Sequence, residues 1–250
     1  MNLFDAHTHL DMKHFQNDRD AVIKRARKAG LVGIVNSSIG SGSFRRTLGL
    51  VNKYEGFIFH SPGCQVSKLT DDETIEIINM SRKYSNDIVA IGEVGLDYYW
   101  VKDEAGRKAQ EPRFIKFMDL AMDLHLPIVV HSRNAELEAT ILLEKYFEGD
   151  VLMHCFDGKS SVAQRVNDNG WFITLPANFD KHNNRREAAK IISLDQIMLE
   201  TDGPYLSPVE GRNEPKNVIY GCNALAQIRN KNADLIAETT TNNALRFYDI

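Results

Sequence analysis

The sequence is short of the features that mark specialised chains. It has 3 cysteines in 250 residues, Cys64, Cys155 and Cys222, far apart and in no CxxC spacing. That spacing argues against a disulfide framework and a thiolate metal site, and it fits a reducing compartment. Its 16 glycines and 7 prolines are too few for a fibrous or low-complexity protein. No apolar run approaches the ~20 residues of a membrane span. The opening MNLFDAHTHL has no basic segment followed by an apolar stretch, so no secretory signal is read there. A cytoplasmic protein that does not enter membranes is the expectation. Excess positive charge is missing too: 30 Lys and Arg face 34 Asp and Glu, for a net charge of −4. A protein that grips long duplex DNA usually carries a basic face. An anionic substrate here therefore needs a local source of positive charge, and bound metal ions are the obvious candidates.

What is present is an ordinary globular balance, 43% hydrophobic and 26% charged. A chain of this length buries roughly 70–75% of its unfolded surface, enough for a full core. Short β-rich runs alternate with stretches of helical period. The strand candidates are Leu3–Ala6, Val32–Ser37, Phe57–His60, Ile88–Gly92, Pro127–His131, Val151–Cys155, Trp171–Leu175 and Ile197–Glu200. Helical patterns cover Asp18–Ala29, Asp72–Tyr84, Arg107–Leu124, Ala135–Tyr146, Arg185–Ile192, Asn217–Arg229 and Ala233–Phe247. Eight strands, each followed by helical sequence, predict an α/β fold of closed parallel (β/α)8 type. A doubly wound open sheet is the runner-up, because βαβ alternation produces both. No Pro/Gly/Ser-rich linker divides the chain, so one domain over residues 1–250 is expected. The long loops Asp97–Gly106 and Gly203–Glu214 both follow strands, on the side where a barrel keeps its active site.

Metal-binding residue types gather at the strand ends. Asp5, His7 and His9 end the first strand, and Glu93 and His131 end the fourth and fifth. His154 lies near the end of the sixth, and Glu200 and Asp202 end the eighth. In a parallel barrel these ends meet at one rim. A single buried histidine is more often a satisfied core residue than a ligand, and an HxH pair alone is weak. The coincidence across five strands changes the odds. Four imidazoles and two carboxylates suit borderline-hard divalent ions, with a carboxylate able to bridge two of them. His14, His60, His125 and His182 fall outside this pattern and read as structural or solvent-exposed.

The motifs that carry these residues are Asp5–Leu10 (DAHTHL), Gly92–Tyr99 (GEVGLDYY), Pro127–Ala135 (PIVVHSRNA), His154–Phe156, Glu200–Leu206 (ETDGPYL) and Arg212–Pro215 (RNEP). In that order, with a closing Asn243–Phe247, they resemble the TatD family of metal-dependent nucleases, within the wider amidohydrolase-like barrels. The resemblance runs end to end. It implies a TIM barrel that hydrolyses phosphodiester bonds with divalent metal, often as a 3′→5′ exonuclease on DNA. By motif, His7 and His9 would bind a first ion and His131 and His154 a second. Glu93 would bridge them, and Asp202 would hold the attacking water and act as base. The resemblance implies magnesium activation, whereas four imidazoles favour zinc or manganese; the ion stays open between Mg2+, Zn2+ and Mn2+.

Around this set, Asp5 and Glu200 are expected to stand behind the ligands and orient them. The alternative for Glu200 is a structural pair with a basic residue. Arg133 and Arg212 are the expected phosphate clamps, since guanidinium binds phosphate bidentately. Tyr98, Tyr99 and Trp100 are placed to stack a terminal base or to pack on the neighbouring loop. Two positions depart from the family pattern. Gln65 stands where Gly-x-His-Pro usually puts a histidine, so it can bind a phosphate oxygen but cannot deliver a proton. Asp157 stands where a serine is common, and repels phosphate unless it meets a metal or an arginine. Two other functions compete: an amidohydrolase acting on a small C–N or C–O substrate or an aminoacyl-tRNA ester, and a non-catalytic metalloprotein. C–N-cleaving relatives commonly bridge their metals with a modified lysine, and Glu93 at that place favours the phosphodiesterase acting on DNA ends or single strands.

Overall fold

Eight strands alternate with helices along residues 1–250, all of which the computed structural model describes. The strands are β1 (Leu3–Thr8), β2 (Leu31–Ile39), β3 (Ile58–Gly63), β4 (Ile91–Asp97), β5 (Ile128–Arg133), β6 (Val151–Met153), β7 (Phe172–Pro176) and β8 (Ile197–Glu200). They pair in parallel in chain order, as a three-stranded run β1–β3 and a five-stranded run β4–β8. Backbone bonds cross both remaining seams. Val89 N–H donates to His60 O at 2.9 Å and Cys64 N–H to Glu93 O at 2.8 Å between β3 and β4. Asp202 N–H donates to His7 O at 3.0 Å, and His9 N–H to Gly203 O at 2.8 Å, between β8 and β1. The result is the (β/α)8 barrel.

The helices are α1 (Arg19–Lys28), α2 (Ser41–Lys53), α3 (Asp71–Lys83), α4 (Glu104–Leu124), α5 (Glu136–Tyr146), α6 (Ser160–Asp168), α7 (Asn183–Ile191), α8 (Val218–Arg229) and α9 (Ala233–Tyr248). Strands of a parallel barrel are covered on both faces and read as near-continuous apolar runs. Here β1, β4, β7 and β8 are buried at every residue. Side chains alternate along each strand. In β5, Ile128 and Val130 join the large cluster under the helices, while Val129 joins an inner cluster with Phe4, Val35, Leu152 and Met198. Phe247 and Tyr248 at the end of α9 complete the inner cluster, and the Tyr248 hydroxyl donates to Ala6 O at 2.9 Å.

Three differences from the sequence reading have physical causes. Helices α2 and α6 were not foreseen. The buried face of α2 is Ser43, Phe44, Thr47 and Leu50, half polar, and α6 buries only Val162, Ala163 and Val166 in nine residues. Each keeps one apolar stripe, but turn-forming residues mask the helical pattern: Ser41, Gly42 and Gly49 in α2, and Ser160 and Ser161 in the short α6. Strand β4 runs to Asp97 instead of stopping at Gly92. Its residues 93, 95 and 97 share one face, and that face is polar because it lines the barrel mouth. β6 ends at Met153, which leaves His154 in the turn just beyond.

Candidate metal centre

Glu93 stands at the middle of the site because two glycines let β4 run close to β5. A Cβ at Gly92 would fall 2.2 Å from Val129 O, and one at Gly95 would fall 2.1 Å from His131 O. Both also hold φ near +142°, a region L side chains rarely adopt. The Glu93 carboxylate is shared between two histidine pairs. Its Oε2 lies 3.5 Å from both His7 Nε2 and His9 Nε2. Its Oε1 lies 2.7 Å from His131 Nδ1 and 3.2 Å from His154 Nε2. Asp202, turned in by a left-handed φ of 53°, brings Oδ1 to 3.3 Å from His9 Nε2 and 3.9 Å from His7 Nε2. The His7 and His154 rings stack with centroids 3.9 Å apart.

Three of the imidazoles are hydrogen-bonded on their far side, which fixes the nitrogen they offer, and the fourth faces a carboxylate there. Ser37 on β2 serves both histidines of the first pair: His9 Nδ1 reaches its carbonyl at 2.7 Å, and His7 Nδ1 meets its hydroxyl at 3.1 Å. In the second pair the partners are acidic. His131 Nε2 bonds to Asp97 Oδ2 at 3.0 Å, and His154 Nδ1 lies 3.5 Å from Glu200 Oε2. Asp97 is itself fixed, accepting at Oδ1 from the N–H groups of Tyr99 and Trp100 at 2.9 and 2.8 Å. Asp5 ties the seam behind the site, accepting from Thr201 N at 2.8 Å and Thr201 Oγ1 at 2.5 Å.

Asp97 is the site residue that sequence reasoning did not pick out. Its signal was the even spacing from Glu93 along one strand face.

The electrostatics are those of imidazoles and carboxylates crowded together out of water. Burial pushes the Glu93 carboxyl up, but His154, His131 and His7 outweigh it and hold the group well below the usual carboxylate range. Burial opposes charge on His9, yet Asp202 and Glu93 prevail and raise it to about 9. His154 and His131 are likewise raised against burial, by Glu93 and Glu200 and by Asp97 and Glu93. His7 is lowered, by burial and by the imidazole of His154. Its Nε2 is buried with no hydrogen-bond partner. A divalent ion would satisfy that orphaned atom and replace the protons the other histidines hold. Two donor groups lie within 4.8 Å: His7 with Glu93 and His154, and His7 with His9 and Asp202. This mixture of nitrogen and oxygen donors fits borderline or hard divalent ions.

Relatives carry the same architecture. The family profile described as TatD related DNase matches residues 4–249. The chain belongs to the TatD-related DNase family. It is 33% identical over 260 residues to deoxyribonuclease TATDN3 of Homo sapiens, covering 99% of this chain and 95% of that protein. It is 34% identical over 247 residues to an uncharacterized metal-dependent hydrolase of Methanocaldococcus jannaschii, covering 98% and 96% of the two chains. Among solved structures, YJJV, a TatD homolog from Escherichia coli, superposes with a TM-score of 0.89 at 24% identity, over 99% of this chain and 98% of that one.

The remaining sequence-predicted residues divide within this TatD-type rim. Arg133, exposed at the end of β5, lays its guanidinium over the Tyr99 ring, 3.9 Å from the centroid. Tyr99 and Trp100 are open to solvent at 39% and 65% exposure, whereas Tyr98 lies under Arg107. Arg212 is held elsewhere: its guanidinium forms a two-pronged pair with Asp18 at 2.9 and 2.8 Å and sits over Phe15. Those contacts leave it a structural tie between the last long loop and α1, in place of the phosphate clamp read from sequence. Gln65 is exposed just beyond β3. Asp157 faces the buried guanidinium of Arg185, whose NH2 is 3.7 Å from its Oδ2. His60 is fully buried and bonds to Ser38 Oγ at 2.9 Å, while His14, His125 and His182 are exposed.

Proposed function

We propose that the chain is a divalent-metal-dependent phosphodiesterase, a 3′→5′ exodeoxyribonuclease that works with two ions. The observation that carries this reading is the division of Glu93, one carboxylate oxygen to each histidine pair. His7, His9 and Asp202 with Glu93 Oε2 would hold one ion, and His131 and His154 with Glu93 Oε1 the other. When bound, two such ions lower the pKa of water towards neutral and clamp the attacking and leaving oxygens of an in-line displacement.

The chain's own residues do the rest. Asp202, a carboxylate kept below its usual range against burial by His9 and the other imidazoles, takes the proton of the attacking water. Asp97 and Glu200 orient His131 and His154, and Asp5 holds Thr201 between Glu200 and Asp202. Arg133, fixed on the Tyr99 ring and free of a carboxylate partner, binds the phosphate of the terminal nucleotide, whose base stacks on the exposed Trp100 ring. Breaking the P–O3′ bond leaves a 3′-oxygen that needs stabilising. Gln65 supports it by hydrogen bonding alone, since an amide carries no transferable proton.

The three free thiols, Cys64, Cys155 and Cys222, support a reducing, cytoplasmic setting. No helix is long and apolar enough to cross a membrane.

The test is hydrolysis by the metal-loaded protein of 3′-labelled single-stranded DNA, bis(p-nitrophenyl) phosphate and an aminoacyl ester, each with and without chelator. Mononucleotide release from the 3′ end, lost with chelator, is expected, with elemental analysis giving two ions and their kind. Cleavage of the aminoacyl ester with neither diester touched would overturn the phosphodiesterase reading.

A further inference from the structure

The whole chain is acidic, yet one cleft of about 780 Å3 reverses that balance. Lys13, Arg19, Arg46 and Lys68 line it, with Asp11 as the one carboxylate. Asp11 is already neutralised: its buried side chain accepts from Arg46 NH2 at 2.9 Å, Ser43 Oγ at 2.7 Å and Asn36 Nδ2 at 3.2 Å. Arg19 braces the loop after β1 through the carbonyls of Leu10, Asp11 and Met12. Lys13 and Lys68 are exposed and stand outside every ion pair of the fold. Lys13 and Lys68 have no carboxylate partner here, and Arg46 stays exposed beyond its pair with Asp11, an arrangement that favours an anion spread over several positions.

The cleft starts at the metal centre. The Tyr205 ring that lines it lies 6.5 Å from the ring of His9, edge-on, and is 49% exposed. Gln65, which also lines it, follows Cys64, whose N–H donates to Glu93 O at 2.8 Å. Its volume lies in the range that holds a drug-sized ligand, roughly 300–1,000 Å3, which is room for a few nucleotides of one strand and too little for a duplex. We infer that this cleft is the track for the sugar–phosphate backbone of a single strand: Lys13, Lys68 and Arg46 take successive phosphates, and a base stacks on Tyr205. The inference rests on the phosphodiesterase reading above and adds a direction to it. The track is built from the loops after β8, β1 and β3 and from the N-terminal halves of α1 and α2. The aromatic pair Tyr99 and Trp100 follows β4 and has only Arg133 and Lys102 over its rings. A long strand is therefore gripped on one side of the ions and a single terminal nucleotide on the other.

Binding tests this without depending on turnover. Metal-loaded protein is titrated against 5′-fluorescein-labelled (dT)8, read by anisotropy, for the wild type and for Lys13→Glu/Lys68→Glu and Lys13→Arg/Lys68→Arg. Saturable binding by the wild type is expected, weakened at least tenfold in the Glu variant and retained in the Arg variant. The slope of log affinity against log salt should be about two and fall by about 1.4 in the Glu variant, at roughly 0.7 per single-strand phosphate. Equal binding by the wild type and the Glu variant, or equal binding of single strand and duplex, overturns the track. Wild-type hydrolysis of bis(p-nitrophenyl) phosphate, measured alongside, judges the phosphodiesterase reading separately. Strand binding without any diester hydrolysis would retain the track and remove the reaction.

Discussion

The two halves of the centre share Glu93 but are braced differently. The His7–His9 half takes both imidazoles from one strand and holds them through neutral groups of Ser37. The His131–His154 half takes one imidazole from β5 and one from the turn after β6, and backs them with the carboxylates Asp97 and Glu200. An acidic partner behind an imidazole raises its basicity as a ligand, while a carbonyl or hydroxyl chiefly fixes its orientation. The first half makes up the difference with Asp202, which faces the ligand nitrogens directly. One half has its second negative charge beside the ion's place, and the other has it behind the histidines.

Removing the shared group erases the comparison and has the largest expected effect. Glu93→Gln should empty both halves and lower diester hydrolysis by more than the roughly 10–100-fold that loss of a partner behind a ligand costs; elemental analysis and initial rates check it. Next, His7→Ala/His9→Ala and His131→Ala/His154→Ala should each lose one ion per chain and keep the other. Unchanged metal in both double variants would contradict the two-site arrangement.

The bracing itself is tested more finely. Asp97→Asn should weaken metal binding in its half by about 10–100-fold. Ser37→Ala should cost less than tenfold, because the carbonyl that orients His9 survives and only the hydroxyl at His7 is lost. Chelator competition on the two variants measures the difference, and equal losses would mean that the acidic backing has no special worth.

The first half alone is tested by a pH slope. In metal-free protein His9 holds its proton up to about pH 9, so an ion entering the first half must expel it. Affinity there should rise about tenfold per pH unit from pH 6.5 and level off above 9. The sign reverses for the metal-free fold. The raised His9 value adds stability below pH 6.5, and that contribution disappears as pH climbs through 9. Calorimetric titration in two buffers of different ionisation heat counts the released proton directly.

That six ligand-type side chains would gather was legible in the sequence because they fell at or beside strand ends, and a parallel barrel brings such ends to one rim. Asp97 was not, because a strand whose inward face reads Glu-x-Gly-x-Asp looks like a loop until the polar barrel mouth is known. Arg212 looked free in sequence, since nothing local announces that Asp18, 194 residues earlier, takes both of its prongs. The basic cleft was hidden most completely. Lys13, Arg46 and Lys68 come from three separate loops and helices, and a net charge of −4 averages them away. Periodicity and motif order report what neighbours in sequence do. Charge fields and ion pairs are properties of the closed fold.

The bonds from Thr201 to Asp5 join residues 196 positions apart in the chain. A contact that distant carries a large loop-closure entropy, so it is expected among the later ones to form. Asp202 follows on the same turn and reaches His9 only across that seam. Barrels assembled as far as the seventh strand would therefore already present Glu93 with four imidazoles, yet lack Asp202, the further donor proposed for the first ion and the proposed base. Refolding followed by ion uptake and by turnover should then separate into two clocks, with the ion of the His131–His154 half captured before catalysis begins.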